Sequence, residues 1–181
     1  KTEESVEPLK KLVEIEQAEE GYQYLGEVYY TLGANIMNDF KSSANAQDSV
    51  KAMDYFDKSI VTLEEGLKKY PENSDMQVAR TSAYIGAGRI TEAIEASKIL
   101  VDNEPNDKIY RYNYGVLLLN AERYSEAETQ LLEALKIDPE YDNAIYNLGV
   151  TYLKWGTAMN KEAEQQGTIS EDYKKKYEAA L

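Results

Sequence analysis

The chain has 181 residues, with 33 acidic against 20 basic side chains, and its formal net charge of -13 repels nucleic-acid phosphates and anionic lipid alike. It has no histidine and no cysteine, which removes imidazole bases, thiolate nucleophiles, disulfides and nearly every zinc, copper, haem or iron–sulfur site. Its charge-free stretches reach only about half of the roughly 20 residues that a spanning helix needs, so no membrane insertion is expected. A chain without thiols tolerates cytosol and periplasm equally. It opens at Lys1 rather than Met, compatible with removal of a signal peptide or a longer upstream region.

Three of the four prolines, Pro71, Pro105 and Pro139, stand 34 residues apart, and the same shift carries Ala93 onto Ala127 and Tyr84 onto Leu118. Such a period marks a structural repeat, here a helical hairpin closed by a proline that cannot continue the helix. In chain order, residues 5–16 read as the second helix of a preceding hairpin. Residues 19–73 form a long repeat whose apolar stripe runs out through Leu32, Ile36 and Phe40 and returns through Met53, Phe56 and Ile60. Breakers at Ser42-Ser43-Ala44-Asn45 lie between the two arms. Residues 74–107 and 108–141 form ordinary repeats. Ser74 with Gln77, and Ser125 with Glu128, fit the capping box. Residues 142–181 form a second long repeat, going out through Trp155, Met159 and Ala163, turning at Gln165-Gln166-Gly167-Thr168 and returning through Tyr173 and Tyr177. No strand pattern of any length is present.

The insertion has one length. Leu25 to Pro71 spans 46 positions where the ordinary repeat has 25, and Gly149-x2-Tyr152-x3-Gly156 aligns on Gly26-x2-Tyr29-x3-Gly33 at three periods plus the same 21 residues. If each arm gains about ten residues, it projects roughly 15 Å beyond its neighbours.

The last repeat supplies Leu148-Gly149 and Tyr152, with Ile145 where a tryptophan would stand. The third gives Tyr114-Gly115, Leu118, Ala127, Leu131, Ala134 and Pro139; the second keeps Tyr84, Ala93, Leu100 and Pro105 but has Arg80-Thr81 in place of Leu-Gly. The first begins Tyr22-Gln23-Tyr24-Leu25-Gly26. These residues resemble the tetratricopeptide repeat family, with its W-x2-L-G-x2-Y, A-x3-F and closing proline. The resemblance implies an all-α, right-handed superhelix, an α-solenoid of helix-turn-helix repeats whose first helices line a concave groove. It also implies close helix approach at Gly26, Gly115 and Gly149. Lengthened hairpins are similar to those of some bacterial, often exported, family members, a pointer to the periplasm. The stop at Ala179-Ala180-Leu181, halfway through the expected last helix, suggests either a longer natural chain or another molecule covering Tyr152, Trp155 and Tyr177.

No catalytic constellation emerges. Carboxylate pairs such as Glu64-Glu65 and Glu19-Glu20 read as solvated helix faces. Asp102-Asn103-Glu104-Pro105-Asn106-Asp107 lacks the ligand spacing and central glycine of a calcium loop and falls at an inter-repeat turn. Gly86-Ala87-Gly88 reads as a turn between helices rather than a phosphate cradle. No metal and no cofactor are expected, and no enzyme activity.

Sixteen tyrosines are the oddity of the composition. Tyr29, Tyr84 and Tyr152 fall at family packing positions. Tyr30, Tyr112 and Tyr146 fall where the resemblance implies groove exposure, with Val78, Ser82, Ile85, Val116, Leu119, Val150 and Leu153 around them. Asn113 and Asn147 occupy positions that family members often use to hold a bound peptide backbone; the equal alternative is that they hold helix ends together. The cationic clamp of some members is missing, because Gln23, Glu27, Ala79 and Ile109 occupy its places. The expected function is therefore a non-catalytic scaffold binding a neutral or basic, partly apolar protein segment in the groove. The rival expectation is a structural segment of a larger assembly, or one self-associating through an uncapped C-terminal face.

Overall fold

A computed structural model of the chain describes residues 3–43, 46–166 and residue 175. Among the described residues, every regular element is a helix: a short 3-10 turn over Glu3–Ser5, then α1 (Val6–Glu16), α2 (Glu19–Ser43), α3 (Ala46–Lys69), α4 (Ser74–Gly86), α5 (Ile90–Asn103), α6 (Lys108–Asn120), α7 (Tyr124–Ile137) and α8 (Asp142–Gln166). Of the expected tip of the last hairpin, Gln165 and Gln166 belong to α8, while Gly167 and Thr168 lie outside the described residues, as do Tyr173, Tyr177, Leu181, Ala44 and Asn45.

Helix lengths reproduce the insertion read from the register. The helices α4 to α7 have 13 or 14 residues, whereas α2 and α8 have 25 and α3 has 24. The inserted residues thus lengthen helices instead of forming loops. At about 1.5 Å per residue, the extra turns of α2 extend it by about 18 Å relative to α4.

The chain divides into two compact units, residues 1–96 and 97–181, with the boundary inside α5. In the first unit α1 packs on α2, α2 pairs with α3, and α4 lies against both. Tyr22, Leu63, Leu67 and Met76 form a buried cluster there, flanked by Val13, Tyr70 and Ala79. The helices α2 and α3 meet closely at Gly26, where a Cβ would lie 2.4 Å from Leu63 Cγ. The buried Ser59 hydroxyl donates to the Gly26 carbonyl at 2.7 Å, satisfying both groups in the seam. Further along, Gly33 packs on the Phe56 ring, and Gly86 of α4 reaches the same ring.

In the second unit α6 pairs with α7 and α8 packs on both. Leu131, Ala134 and Ala144 form its buried cluster, with Tyr112, Leu135, Tyr141 and Leu148 against them. Gly115 faces Leu131, its place for a Cβ only 2.9 Å from Leu131 Cγ. Arg111 ties the pair, donating to Gln130 Oε1 at 2.9 Å and to the Pro105 carbonyl at 2.9 Å. Gln77 donates to the Pro71 carbonyl in the same way, one period earlier. Gly149 has no described neighbour within 4 Å of its Cβ position, so the close approach expected there is not made by the described residues.

Helix starts differ from the expected capping boxes. The cap of α4 is Asn73, whose side chain accepts from the Met76 N–H at 2.7 Å, and Ser74 is the first helical residue. Asp107 plays the same part for α6, accepting from Ile109 and Tyr110. At α7 the flanking residue is Arg123, and Ser125 lies inside the first turn. Arg123 makes a two-pronged ion pair with Glu126, as Arg89 pairs with Glu92 one period earlier.

Candidate functional site

Helical register places the expected groove residues on the first helices of the hairpins, and the structure sorts them unit by unit. In the first unit Glu27 and Tyr30 of α2 and Asp75, Val78, Ala79 and Ser82 of α4 line one cleft of about 260 Å³. Tyr30 is half-buried, its ring 5.8 Å from that of Phe56, which comes from the lengthened part of α3. Tyr30, Val78 and Ser82 are therefore brought together as expected. Ile85, one turn further along α4, is exposed and does not line the cleft. The Ser82 hydroxyl donates to the Val78 carbonyl at 3.1 Å, which leaves its lone pairs toward solvent.

The electrostatics of this cleft come from three polar side chains. Gln23 Nε2 donates to Glu27 Oε1 at 3.1 Å and lies 3.5 Å from Asp75 Oδ2. Asp75 sits in the first turn of α4, where the helix dipole favours an anion. In the sequence Gln23, Glu27 and Ala79 stand as missing clamp positions, and Glu27 with Glu20 and the net charge argues for a neutral or basic ligand, whereas Asp75 is not marked out there. Asp75 comes two residues after the cap, a place where an acidic residue reads as a helix-start signal.

In the second unit the expected set divides. Tyr146 and Leu153 are exposed, at 72% and 60%, and Asn113 is exposed beside half-buried Val116 and Val150. One expectation is corrected, and two further residues are engaged within the fold. Leu119 is buried at 3% exposure and belongs to the core. Tyr112 packs edge-on against Tyr141, ring centroids 5.2 Å apart, and Lys108 Nζ lies 5.1 Å from the Tyr141 ring centroid while pairing with Asp138. Asn147 Nδ2 donates to the Tyr112 hydroxyl at 3.2 Å and to the Asn143 carbonyl at 2.9 Å, so its donors are used within the fold. Leu153 joins another cleft of about 470 Å³, lined by Glu122, Tyr124, Lys154, Thr157, Ala158 and Lys161, whose two lysines went unnoticed in the sequence because they lie in the arm.

The packing tyrosines are where register placed them. Tyr29 and Tyr84 are buried, and Tyr152 is half-buried. Burial first, and the hydrogen bond to Glu64 second, push the Tyr84 hydroxyl up to about 12. Tyr152 is likewise pushed up to about 12, by burial and then by Glu128. The would-be calcium turn is a capping turn, with Asp107 on α6 and Asp102 paired to Lys98. Among the described residues no group of three or more Asp or Glu is placed to hold a metal ion, and no helix is long and apolar enough to cross a membrane.

Comparison with known proteins agrees with this architecture. A family model described as tetratricopeptide repeat matches residues 78–142. The "Inactive TPR repeat-containing thioredoxin TTL3" of Arabidopsis thaliana is 34% identical over 73 residues, 40% of this chain; the match spans about a tenth, 11%, of that protein's length. Among solved structures, MamA residues 41 to the end, from Desulfovibrio magneticus RS-1, superposes with a TM-score of 0.66 at 14% identity, covering 99% of this chain and 83% of that one. YrrB, described as a TPR protein with an unusual peptide-binding site, gives a TM-score of 0.52 at 20% identity over 80% of this chain and 81% of its own. Residues 78–142 thus match the tetratricopeptide repeat, and the paired helices on a 34-residue period share the all-α solenoid fold of these solved structures.

Proposed function

We propose that this chain is a non-catalytic scaffold that binds a neutral or basic, partly apolar segment of a partner protein on the inner faces of its first helices. The observation that carries this reading is the cleft between α2 and α4. It joins an aromatic ring, an apolar floor and an acidic rim in one concavity, the usual anatomy of a site that grips a side chain. The exposed Tyr146 and Leu153 of the second unit add apolar surface of the type enriched at interfaces. The net charge of -13 favours a partner that is not itself acidic. YrrB, with its peptide-binding site, shares the fold and is consistent with this use of it.

The test begins with affinity capture from a lysate of the source cells. Segments of each captured protein are then synthesised and titrated against the wild type and a Val78→Ala/Tyr146→Ala variant. Both positions are solvent-exposed, so circular dichroism should show an unchanged fold. The reading predicts a segment whose affinity falls by about thirtyfold in the variant, the loss of about 2 kcal/mol expected for an aromatic and aliphatic anchor pair. Unchanged affinity in the folded variant contradicts it.

A further inference from the structure

The α2–α4 cleft has a chemical asymmetry that its apolar floor does not require. Two carboxylates from different helices, Glu27 and Asp75, converge on one neutral atom, both within 3.5 Å of Gln23 Nε2. Among the described residues neither makes an ion pair with a lysine or arginine, whereas Lys10, Lys58, Arg89, Lys98, Arg123 and Lys136 each pair with an acid three or four residues away. Two like charges held this close repel, and a cation placed between them relieves that repulsion. Below the rim the walls change character. The Tyr30 ring, held in place by Phe56, and the Val78 and Ala79 side chains make a lining that suits an alkyl stem and the face of a flat cation.

From this we infer that the cleft is a receptor for an arginine side chain of the partner segment; the inference rests on the scaffold reading above and names the chemistry of its ligand. Arginine fits better than lysine for a geometric reason. The carboxylates stand on separate helices, and a planar guanidinium presents donors along two edges, so one group can serve Glu27 and Asp75 at once while its face lies on Tyr30. A lysine ammonium is a point charge that must favour one acid or share its hydration between them. The Ser82 hydroxyl oxygen, whose proton is committed to Val78, remains an acceptor at the same site.

The experiment uses the whole chain, labelled with nitrogen-15, and follows amide shifts by NMR during titration with N-acetyl-arginine methylamide. N-acetyl-citrulline methylamide, equal in shape but uncharged, and the corresponding lysine compound are titrated in parallel. The expected result is saturable shifts at Tyr30, Val78, Ala79 and Ser82 with the arginine probe, several-fold weaker affinity for lysine and none for citrulline. A Glu27→Gln/Asp75→Asn variant, its fold checked by thermal unfolding, should lose the arginine response. Absence of shifts in the wild type, equal shifts from citrulline, or an unaltered response in the variant would each overturn the inference. The two readings fail separately. A partner segment that binds equally well to the Glu27→Gln/Asp75→Asn variant removes the arginine receptor and leaves the scaffold, whereas saturable arginine binding with no protein ligand captured leaves the receptor and removes the scaffold.

Discussion

Turn residues show what the 34-residue repeat demands of single positions. Gly88 and Glu122 are one period apart and both adopt left-handed backbone, at φ 69° and 60°. Glycine takes that conformation without cost, whereas a glutamate carries a Cβ penalty of about 1 kcal/mol. Replacing Glu122 with glycine should therefore raise stability by about 0.5 kcal/mol in urea denaturation, and Gly88→Ala should lower it by about 1 kcal/mol. A loss on Glu122→Gly or a gain on Gly88→Ala would mean that the turns are not equivalent. The caps are a second case. Asn73→Ala and Asp107→Ala should each cost about 1 kcal/mol, while Ser74→Ala should cost much less. The sequence suggested Ser74 because Ser-x-x-Gln matches a capping box, yet Asn73 one residue earlier is the better acceptor and returns as Asp107 after 34 residues. Comparing repeats would have chosen the right cap where a local motif did not.

At the scale of helices, the seam of α2 and α3 depends on the absence of a side chain at residue 26. Alanine is ordinarily preferred over glycine within a helix, but a methyl at residue 26 would meet fully buried Leu63. Gly26→Ala should lower stability by about 1–3 kcal/mol, the cost of overpacking, and a neutral result would show that the seam can yield. Tyr84 and Tyr152 join each first helix to the helix before it through a glutamate, and they set a pH dependence. An unfolded tyrosine titrates near 10, while the folded hydroxyls stay protonated to about 12. Between those values the folded state holds protons the unfolded state has lost, so stability falls as pH rises from about 10 to 12. Denaturation midpoints measured across that window should drop steeply for the wild type and less for Tyr84→Phe/Tyr152→Phe. The long helices were legible because one insertion length accounts for both ends of the register and the apolar stripe continues through it. The burial of Leu119 and the half-buried packing of Tyr112 were not legible: register names the face of a helix, but Tyr141, from the connecting turn, packs against Tyr112.

On the scale of the whole molecule, the fold follows from period, proline spacing and small residues, all of which are local and repeated. The binding faces are not repeated. Glu27 and Asp75 occupy different positions in their hairpins, and their convergence on Gln23 becomes visible only when α2 and α4 are placed side by side. The scaffold reading turns on that meeting of helices, and photo-crosslinking tests it most directly. With p-benzoylphenylalanine at residue 78 in the cleft, or at exposed residue 61 on α3 as a control, the chain is irradiated together with its captured partner. The account predicts a covalent adduct from position 78, suppressed by excess arginine peptide, and none from position 61. An adduct from position 61 alone would contradict it.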